Sequence, residues 1–371
     1  MTDVTDQDNQ SLSSRPERGT AAYINTSHIL HNLNVFKDLH PGKIIAVVKA
    51  DAYGHGLKNT VPALTACDAF AVATIEEALA LRQLNGEKKI ILLEGVFNDH
   101  EMKLVIEHRL DVVIHQDYQV ALLKIVPATH NMDVWLKIDS GMNRLGFHLD
   151  QMAEKLNSIK AIDGIGQVRL MSHFAASDDV QCQQTRSQIK VKDQLKTLGY
   201  EYSFSNTSAV LNQLNTHDEW CRVGIGLFGI SPLGMGSSGG DFNLKPAMHL
   251  SAKIIASKYI KTGEKIGYGG HFTATKDMRI AVVGIGYADG YPWSEHNSSV
   301  IVDGLTVEVL GRVSMDMLVI DASELKLNIS GKQVTVWGDE LPIEAVAADL
   351  KLIPYALICG ITKRVKYYAI Q

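Results

Sequence analysis

IIAVVKA (residues 44–50), AFAVAT (69–74) and KIILLEG (89–95) are short, mostly apolar runs that set the architecture of the chain. Runs of this kind are typical of strands that are buried on both faces of a parallel sheet. Helical patterns alternate with them, as in IEEALALRQLNG (75–86) and QMAEKLNSIKAI (151–162). The alternation of strand and helix predicts an α/β fold.

Further runs continue this alternation and bring the predicted strands to eight. They are DVVIH (111–115), VWLKID (134–139), GQVRLMSHF (166–174), YSFSN (202–206) and RVGIGLFGI (222–230). Eight such units within residues 25–235 match a (β/α)8 TIM-like barrel in size and count. A doubly wound open sheet is the competing arrangement, but it requires a glycine fingerprint at the first crossover helix, and none is present. The sequence therefore favours the barrel.

The pattern changes after about residue 240. GSSGGDFN (236–243) has the composition of a linker, and short β-rich runs follow it. The Asp303-Gly304 pair separates two of these runs and predicts a hairpin. The runs are LSAKIIASKYI (250–260), RIAVVGIGY (279–287), SVIVDGLTVEVLG (299–311) and MLVIDAS (317–323). They predict a second, mainly β domain after the barrel.

The length of 371 residues suits two domains at roughly 150 residues each. Residues 1–18 are almost wholly polar, so we expect them to form a flexible tail. We place the barrel domain at residues 19–240 and the C-terminal β domain at 241–371. Apolar residues at three- and four-residue steps predict a first helix from His28 to about His40, with Thr26 as a candidate N-cap.

The charge balance argues against nucleic acid or an anionic membrane as a partner. The chain has 36 Lys and Arg against 41 Asp and Glu, a net charge of −5, and no strongly basic block. The N-terminus lacks the positive start and apolar run of a signal peptide, and no later stretch is apolar over the roughly 18 residues of a membrane helix. We therefore expect a soluble, cytoplasmic protein.

The four cysteines are far apart in the sequence and form no CxxC motif. This spacing predicts neither a disulfide framework nor a metal site. Cys67, Cys221 and Cys359 lie in apolar stretches of sequence, where free thiols are usually buried, so we expect them to be reduced core residues.

Lys49 ends the first predicted barrel strand, in VVKADAYGHG (47–56). The carboxyl ends of barrel strands form the active site of this fold, so a lysine there is placed for chemistry. A lysine that extends to solvent from a strand end is the alternative interpretation. Tyr53, Gly54 and Gly56 follow closely, and small residues allow a loop to approach a phosphate. These residues favour the chemical interpretation.

The segment AVVKADAYGHG (46–56) resembles the pyridoxal-phosphate attachment motif of alanine racemases. Further motifs that resemble the family follow in the same order over nearly all of the chain after the tail. They are WLKIDSGMNRLGF (135–147), MSHFAASD (171–178), RVGIGLFGISP (222–232), KIGYGGHF (265–272), VGIGYADGYP (283–292), GRVSMDM (311–317) and IPYALICGITKRV (353–365). The resemblance implies a barrel followed by a β domain, with pyridoxal phosphate as cofactor and a homodimer with shared active sites.

The resemblance also implies catalytic roles for Lys49, Tyr268, His173 and Arg222. Racemisation removes a proton from one face of a carbon and returns it on the other, so it needs an electron sink and two opposed acid/base groups. Lys49 would hold the cofactor and serve one face, and Tyr268 of the partner subunit would serve the other. Arg222 would meet the pyridine nitrogen and keep it unprotonated, with His173 between Arg222 and Tyr268.

Two binding groups are implied in the same way. Arg144 would orient the substrate carboxylate, and Met315, Asp316 and Tyr287 would complete the substrate side. Lys137 aligns with a lysine that is N-carboxylated in some members. The phosphate cup would comprise Tyr53, Asn206, Thr207, Ser208, Gly224, Ile225 and Tyr355. The family commonly has Asn-Ser-Ala at 206–208, so Thr207 and Ser208 are alternatives for the phosphate contact.

The implied activity is the interconversion of L- and D-alanine, with D-alanine passing to peptidoglycan. A decarboxylase of the same architecture is disfavoured, because its histidine and glycine-rich phosphate loop and the catalytic cysteine of its β domain are not visible here. A non-catalytic pyridoxal-phosphate carrier of the single-barrel type is disfavoured by the β domain after residue 240. Racemases for serine, lysine or arginine are the nearest competitors. Many of those with broad specificity are exported, so the lack of a signal peptide disfavours them, while the pocket width that separates alanine from serine is not readable from the sequence.

Overall fold

The computed structural model of the protein describes residues 18–214, 218–234, 236–294 and 298–371. It divides the chain into two compact units. Thr26–Lys245 form the barrel unit, while Pro246–Gln371 and the described N-terminal residues 18–25 form the β unit. The expected tail, residues 1–18, lies outside the described residues except for Arg18.

Eight parallel strands make up the sheet of the barrel unit, in the order β8-β7-β6-β5-β4-β3-β2-β9. The terminal strands β8 and β9 are joined near their carboxyl ends, where the Arg222 amide donates to the Ser205 carbonyl at 2.9 Å. The predicted (β/α)8 barrel is therefore confirmed. Its strands are β2 (Lys43–Val47), β3 (Ala69–Val72), β4 (Lys89–Leu92), β5 (Asp111–Ile114), β6 (Met132–Lys137), β7 (Ile165–Met171), β8 (Tyr202–Ser203) and β9 (Trp220–Val223), after β1 (Ala21–Asn25) of the β unit.

The helices of the barrel unit connect its strands. The first buries Ile29, Leu33 and Phe36 at helical spacing and begins at Thr26, so Thr26 lies inside the helix where the sequence suggested an N-cap. The helices are α1 (Thr26–Leu39), α2 (Leu57–Thr60), α3 (Ile75–Leu84), α4 (Asp99–Glu107), α5 (Asp117–Leu122), α6 (Met152–Lys160), α7 (Gln183–Lys196) and α8 (Thr207–Leu211).

An ion-pair network fills the barrel at the end where the strands begin. Lys89 bridges Asp111 and Asp133 at 2.9 and 2.7 Å, and Arg169 bridges Asp133 and Glu201 at 2.9 and 2.6 Å. Pairing offsets the cost of taking these charges out of water. Burial nevertheless raises the pKa of Asp111 to about 6. The chemically interesting side chains lie at the opposite, carboxyl end of the strands.

The β unit is built on one large sheet. β1 pairs antiparallel with β10 (Met248–Ile260) and parallel with β18 (Lys366–Ile370). Residues 19–25 were expected in the barrel domain, but the backbone pairing of β1 places them in the β unit. The remaining strands are β11 (Lys265–Ile266), β12 (Phe272–Thr273), β13 (Met278–Val283), β14 (Ser299–Val302), β15 (Leu305–Glu308), β16 (Leu318–Asp321) and β17 (Gln333–Trp337), with helices α9 (Ile343–Asp349) and α10 (Pro354–Cys359).

Two local expectations for the second half of the chain had different outcomes. The hairpin at Asp303-Gly304 is confirmed, because β14 pairs antiparallel with β15 and both turn residues have positive φ, 51° and 78°. Residues 236–243, expected as a linker, instead contain a 3-10 turn at Gly239–Phe242. Ser238 and Asp241 cap this turn, and the boundary between the units follows Lys245.

The cysteines are all free thiols, and their burial differs from the expectation at one position. Cys67 and Cys221 are buried and Cys182 is half-buried. Cys359 is exposed, because Leu357 and Ile358 take the buried positions of α10. The expected burial of Cys359 is therefore wrong. Among the described residues, no helix combines the length and apolar character needed to cross a membrane.

Candidate active site

Lys49 lies just beyond the first barrel strand. The sequence suggested that Lys49 is the last residue of this strand. In the structure β2 ends at Val47, so Lys49 lies two residues beyond it. The next residues, Ala50–Tyr53, all have positive φ between 50° and 55° and form a left-handed turn. This conformation costs roughly 1–2 kcal/mol for each residue that is not glycine. Backbone strain of this kind persists only where surrounding contacts compensate for it.

Hydrogen bonds and ring packing hold the left-handed turn from within the unit. Asp51 Oδ1 accepts the Leu57 amide at 2.8 Å. His55 Nδ1 lies 2.9 Å from the Tyr53 carbonyl, so this nitrogen carries the proton and donates it. The His55 ring stacks on Phe228 at 4.2 Å, and burial lowers the pKa of His55 to about 4. His55 is therefore a neutral brace behind Tyr53.

Arg222, on β9, is fixed by a set of buried acceptors. Its Nη1 donates to the carbonyl and Oγ of Ser203 at 2.9 and 2.6 Å. Its Nη2 donates to the Ser172 carbonyl at 2.7 Å and to His173 Nδ1 at 2.9 Å. Burial lowers the pKa of Arg222 to about 10, opposed by Asp218, so the guanidinium is charged at neutral pH.

His173 has a defined tautomer because Arg222 can only donate. His173 Nδ1 accepts from Arg222, which leaves the proton on Nε2. Burial, followed by the charges of Arg222 and Lys137, holds the pKa of His173 well below its usual range. The imidazole is therefore neutral and offers one N–H donor. Gln188 of α7 fixes the segment after β7 that carries His173, since its Nε2 donates to the His173 carbonyl at 2.8 Å.

Lys137 and Arg144 lie at the end of β6 and in the loop that follows it. The loop closes on β6, with the Phe147 amide donating to the Lys137 carbonyl at 2.9 Å. Asp139 Oδ1 accepts the amides of Gly141 and Asn143 at 2.9 and 3.1 Å. A small cavity next to Lys137 is also lined by Arg144 and His173. Burial, followed by Arg222 and Arg144, lowers the pKa of Lys137 to about 8.

The residues of the expected phosphate cup in the barrel unit lie together. The Gly224 amide donates to Thr207 Oγ1 at 3.2 Å. A Cβ on Gly224 would overlap with the Tyr53 hydroxyl, so glycine is required for this close approach. Asn206 caps α8 through the Ala209 amide, and Thr207 and Ser208 are both buried. Ile225, also buried, opens the 3-10 turn that follows Gly224.

Three of the candidate residues in the β unit occupy adjoining loops. The Tyr287 amide donates to the Ser314 carbonyl at 3.1 Å, and the Ala288 amide donates to the Met315 carbonyl at 2.9 Å. Asp316 forms an ion pair with Arg364 at 2.8 Å. These contacts bring Tyr287, Met315 and Asp316 together. The side chains of Tyr287 and Met315 are exposed.

Tyr268 lies in a turn between β11 and β12. Gly267, Gly269 and Gly270 around it all have positive φ, and the Tyr268 side chain is 74% exposed. Arg312, three residues before Met315, lies against Gly269. Tyr355 is half-buried in the first turn of α10. Within the β unit, Tyr268 and Tyr355 are thus presented by separate segments.

Some residues that shape the site were not singled out from the sequence. Gln188 lies on the buried stripe of α7, and Lys192 on the same stripe forms a fully buried ion pair with Asp218 at 2.6 Å. Asp218 Oδ2 in turn accepts the amides of Phe204 and Ser205 at the end of β8. The available signal was polar side chains at the buried spacing of a helix. That pattern is indistinguishable from a solvated face without the fold.

Basic and hydroxyl side chains gathered at the carboxyl ends of a (β/α)8 barrel define an enzyme site suited to an anionic ligand. Family models for the N-terminal and C-terminal domains of alanine racemase match residues 24–232 and 247–369. The chain belongs to the alanine racemase family, whose members are isomerases.

Named relatives and solved structures agree with this assignment. An alanine racemase of Shewanella sediminis is 40% identical over 93% of this chain and 97% of its own length. One of Nitrosomonas eutropha is 38% identical over 95% of this chain and 99% of its own. The crystal structure of the biosynthetic alanine racemase from Pseudomonas aeruginosa has a TM-score of 0.92 and 37% identity, covering 96% of this chain and 100% of that one. The alanine racemase from Bartonella henselae, described with covalently bound pyridoxal phosphate, has a TM-score of 0.86 and 27% identity, covering 96% and 100%.

Proposed function

We propose that this protein interconverts L- and D-alanine with pyridoxal phosphate, using one base on each face of the substrate. The observation that carries the proposal is the group formed by Lys49, Arg222 and His173 at one end of the barrel. Lys49 directly precedes a strained turn, and Arg222 and His173 are in direct contact. When bound, the cofactor supplies an electron sink that makes the α-proton of alanine removable.

Lys49 would hold the cofactor and then move the α-proton at its Nζ. Tyr268 of the partner subunit would serve the other face at its Oη. The exposure of the Tyr268 side chain within its own chain supports a role at a subunit interface. We therefore propose a homodimer with shared active sites, in which each barrel is completed by the β unit of the partner subunit.

Arg222 and His173 would set the charge of the site. A guanidinium held by buried acceptors does not release its proton, so Arg222 would leave the pyridine nitrogen unprotonated. His173 would donate from Nε2, the nitrogen that carries its proton, toward Tyr268 of the partner subunit. A hydrogen bond to a phenolate favours its charged form, so this donor would help Tyr268 to act as a base.

The chain offers donors that fit the cofactor's phosphate. Thr207 Oγ1 accepts from the Gly224 amide, which leaves its own proton available to an anion. The Ser205 hydroxyl, at the end of β8, is buried and has no hydrogen-bond partner among the described residues. Backbone amides and hydroxyls together can bind a phosphate without a large net charge. We propose Thr207 in place of Ser208 as the hydroxyl that meets the phosphate, with Tyr53, Asn206, Gly224, Ile225 and Tyr355 completing the cup.

Arg144 would bind the substrate carboxylate with its two-pronged donor group. Met315, Asp316 and Tyr287 would line the substrate side from the partner subunit. We further propose that the enzyme works in the cytoplasm and that its D-alanine supplies peptidoglycan. The biosynthetic description of the Pseudomonas aeruginosa structure supports this role.

Alanine recovered from heavy water tests the proposal. The purified protein with pyridoxal phosphate and L-alanine should yield D-alanine that carries deuterium at the α-carbon. The Lys49→Ala variant should yield neither product, and L-serine assayed in parallel measures selectivity. Unchanged L-alanine from a protein that has bound the cofactor would contradict the proposal and favour the carrier or decarboxylase interpretation.

A further inference from the structure

We propose that Glu77 is a positioning residue that holds Lys49 in place through the backbone of the left-handed turn. The proposal rests on the function proposed above for Lys49. Glu77 lies on α3, the helix after β3, and its carboxylate reaches back to the segment that follows β2. It thereby ties two neighbouring strand ends of the barrel to each other.

The two carboxylate oxygens of Glu77 bond to different segments. Oε1 accepts the Ala50 amide at 2.7 Å. Oε2 accepts the Ala73 amide at 2.9 Å, in the loop between β3 and α3. Hydrogen bonds to a charged acceptor are shorter and about twice as strong as those between neutral groups. A single side chain thus fixes the peptide unit that joins Lys49 to Ala50.

That peptide unit is where the strained backbone begins. Ala50 is the first of the consecutive residues with positive φ, and it has no glycine-like freedom to adopt this conformation. Without the bond from its amide, the turn is expected to relax toward a less strained geometry. The Cα of Lys49 would then shift relative to Arg222 and His173, which are held by separate bonds.

Helix capping is the structural alternative for Glu77. Thr74 and Glu77 form a capping box at the start of α3, in which Thr74 Oγ1 accepts the Glu77 amide at 3.4 Å. A cap needs only the oxygen that faces Ala73 and Thr74. The second oxygen, directed at Ala50, is not explained by capping. The two roles can therefore be separated by substitution.

The Glu77→Gln variant tests the positioning role. The amide side chain has nearly the same shape but only one acceptor oxygen, so it can cap α3 or bind the Ala50 amide but not both. The matched control is Glu76→Gln, which removes the same charge from the exposed neighbour on α3. The capping control is Thr74→Val, which weakens the cap and leaves the Glu77 carboxylate intact.

We expect Glu77→Gln to lower kcat roughly tenfold, since small displacements of a reacting group can cost up to about a hundredfold in rate. The KM for alanine should change little, because the carboxylate of Glu77 bonds to the amides of Ala50, Ala73 and Thr74 and its proposed effect is on Lys49. Hydrogen exchange of the cofactor-free protein gives a second readout. The Ala50 amide should exchange faster in Glu77→Gln than in wild type and in both controls.

Two results would overturn the proposal. One is unchanged kcat and Ala50 exchange in Glu77→Gln, and the other is an equal loss of kcat in Thr74→Val, which would reduce Glu77 to a capping residue. If Glu77→Gln does not fold, Glu77→Asp serves instead, because its shorter side chain cannot span both amides. Activity retained by Lys49→Ala would refute the proposed function itself, whatever Glu77 does.

Discussion

Replacing Arg222 by lysine separates the charge of this residue from its geometry. Lysine keeps the positive charge beside His173, so the pKa of His173 should stay well below its usual range. The planar fork is lost, however. Arg222 uses two different nitrogens, Nη1 for Ser203 and Nη2 for Ser172 and His173, and a single ammonium nitrogen cannot reach both groups.

The minimum cost can be worked out from these contacts. If the ammonium takes the place of Nη2, the Ser203 carbonyl loses the guanidinium donor and keeps only the Ser172 amide, which donates to it at 3.0 Å. If it takes the place of Nη1, the Ser172 carbonyl and His173 Nδ1 lose theirs. In either arrangement at least one hydrogen bond to a charged group is lost, and such a bond contributes about 1.5–3 kcal/mol. We therefore expect Arg222→Lys to lower the free energy of unfolding by at least about 1.5 kcal/mol.

Urea unfolding of the cofactor-free protein measures this effect. The midpoint should fall without a change in the m-value, because the surface exposed on unfolding is the same. Arg186→Lys, at an exposed position of α7, is the matched control and should leave the midpoint unchanged. Equal midpoints for wild type, Arg222→Lys and Arg186→Lys would refute the reasoning, because the buried acceptors would then not depend on the fork.

Other expected outcomes follow from the same contacts. Arg222→Gln removes the charge that helps to depress the pKa of His173. The acidic limb of the plot of kcat/KM against pH should therefore move to higher pH, and an unmoved limb would contradict this electrostatic role. Mixing inactive Lys49→Ala and Tyr268→Phe subunits should restore activity, since a heterodimer contains one intact site. No recovery despite proven subunit exchange would mean that each site is built within one chain. Lys137, with its pKa lowered to about 8, presents more unprotonated amine to CO2 than an ordinary lysine. Native mass spectrometry should therefore show one added CO2 that disappears at low bicarbonate and in Lys137→Ala. An unmodified mass at high bicarbonate would refute N-carboxylation.

The barrel could be predicted from the sequence because its strands are largely buried on both faces and therefore mostly apolar. The strand ends were less predictable. RVGIGLFGI (222–230) looks like one strand, but β9 ends at Val223 and a 3-10 turn begins at Ile225. Apolar composition reports burial, and both the strand and the turn are buried. Composition therefore does not separate them.

The pairing of β1 was out of reach for a different reason. AAYIN (21–25) immediately precedes α1 in sequence, so its place beside the barrel was the simplest expectation. Its partners, β10 and β18, are more than two hundred residues away in the chain. Nothing local in the segment encodes such distant pairing. A strand of this kind is assigned only when its hydrogen-bond partners are known.

The candidate residues could be found because they occur in order in motifs that resemble the family. The hydrogen bonds that hold these residues in place could not be found in this way. The left-handed turn contains Ala50, Asp51, Ala52 and Tyr53, of which only Asp51 is a residue type that visits positive φ at all often. The local backbone preference of these residues disfavours positive φ. Hydrogen bonds from Glu77 and within the turn stabilise the conformation against that preference. Sequence patterns express local preference, so a segment held against its preference is where they fail.

Four cationic side chains lie at the carboxyl end of the barrel, and their charges lower the pKa values of Lys137 and His173. Lys49, Arg144 and Arg222 all lower the pKa of Lys137, and these four cations together lower that of His173. Mutual repulsion among cations is unfavourable in the protein alone, and an anion bound among them would relieve it. Binding of an anionic ligand would therefore raise the pKa values of Lys137 and His173 toward their usual ranges. Ligand binding and protonation are coupled in this site, and Arg222, fixed by buried acceptors, is the charge around which the coupling is organised.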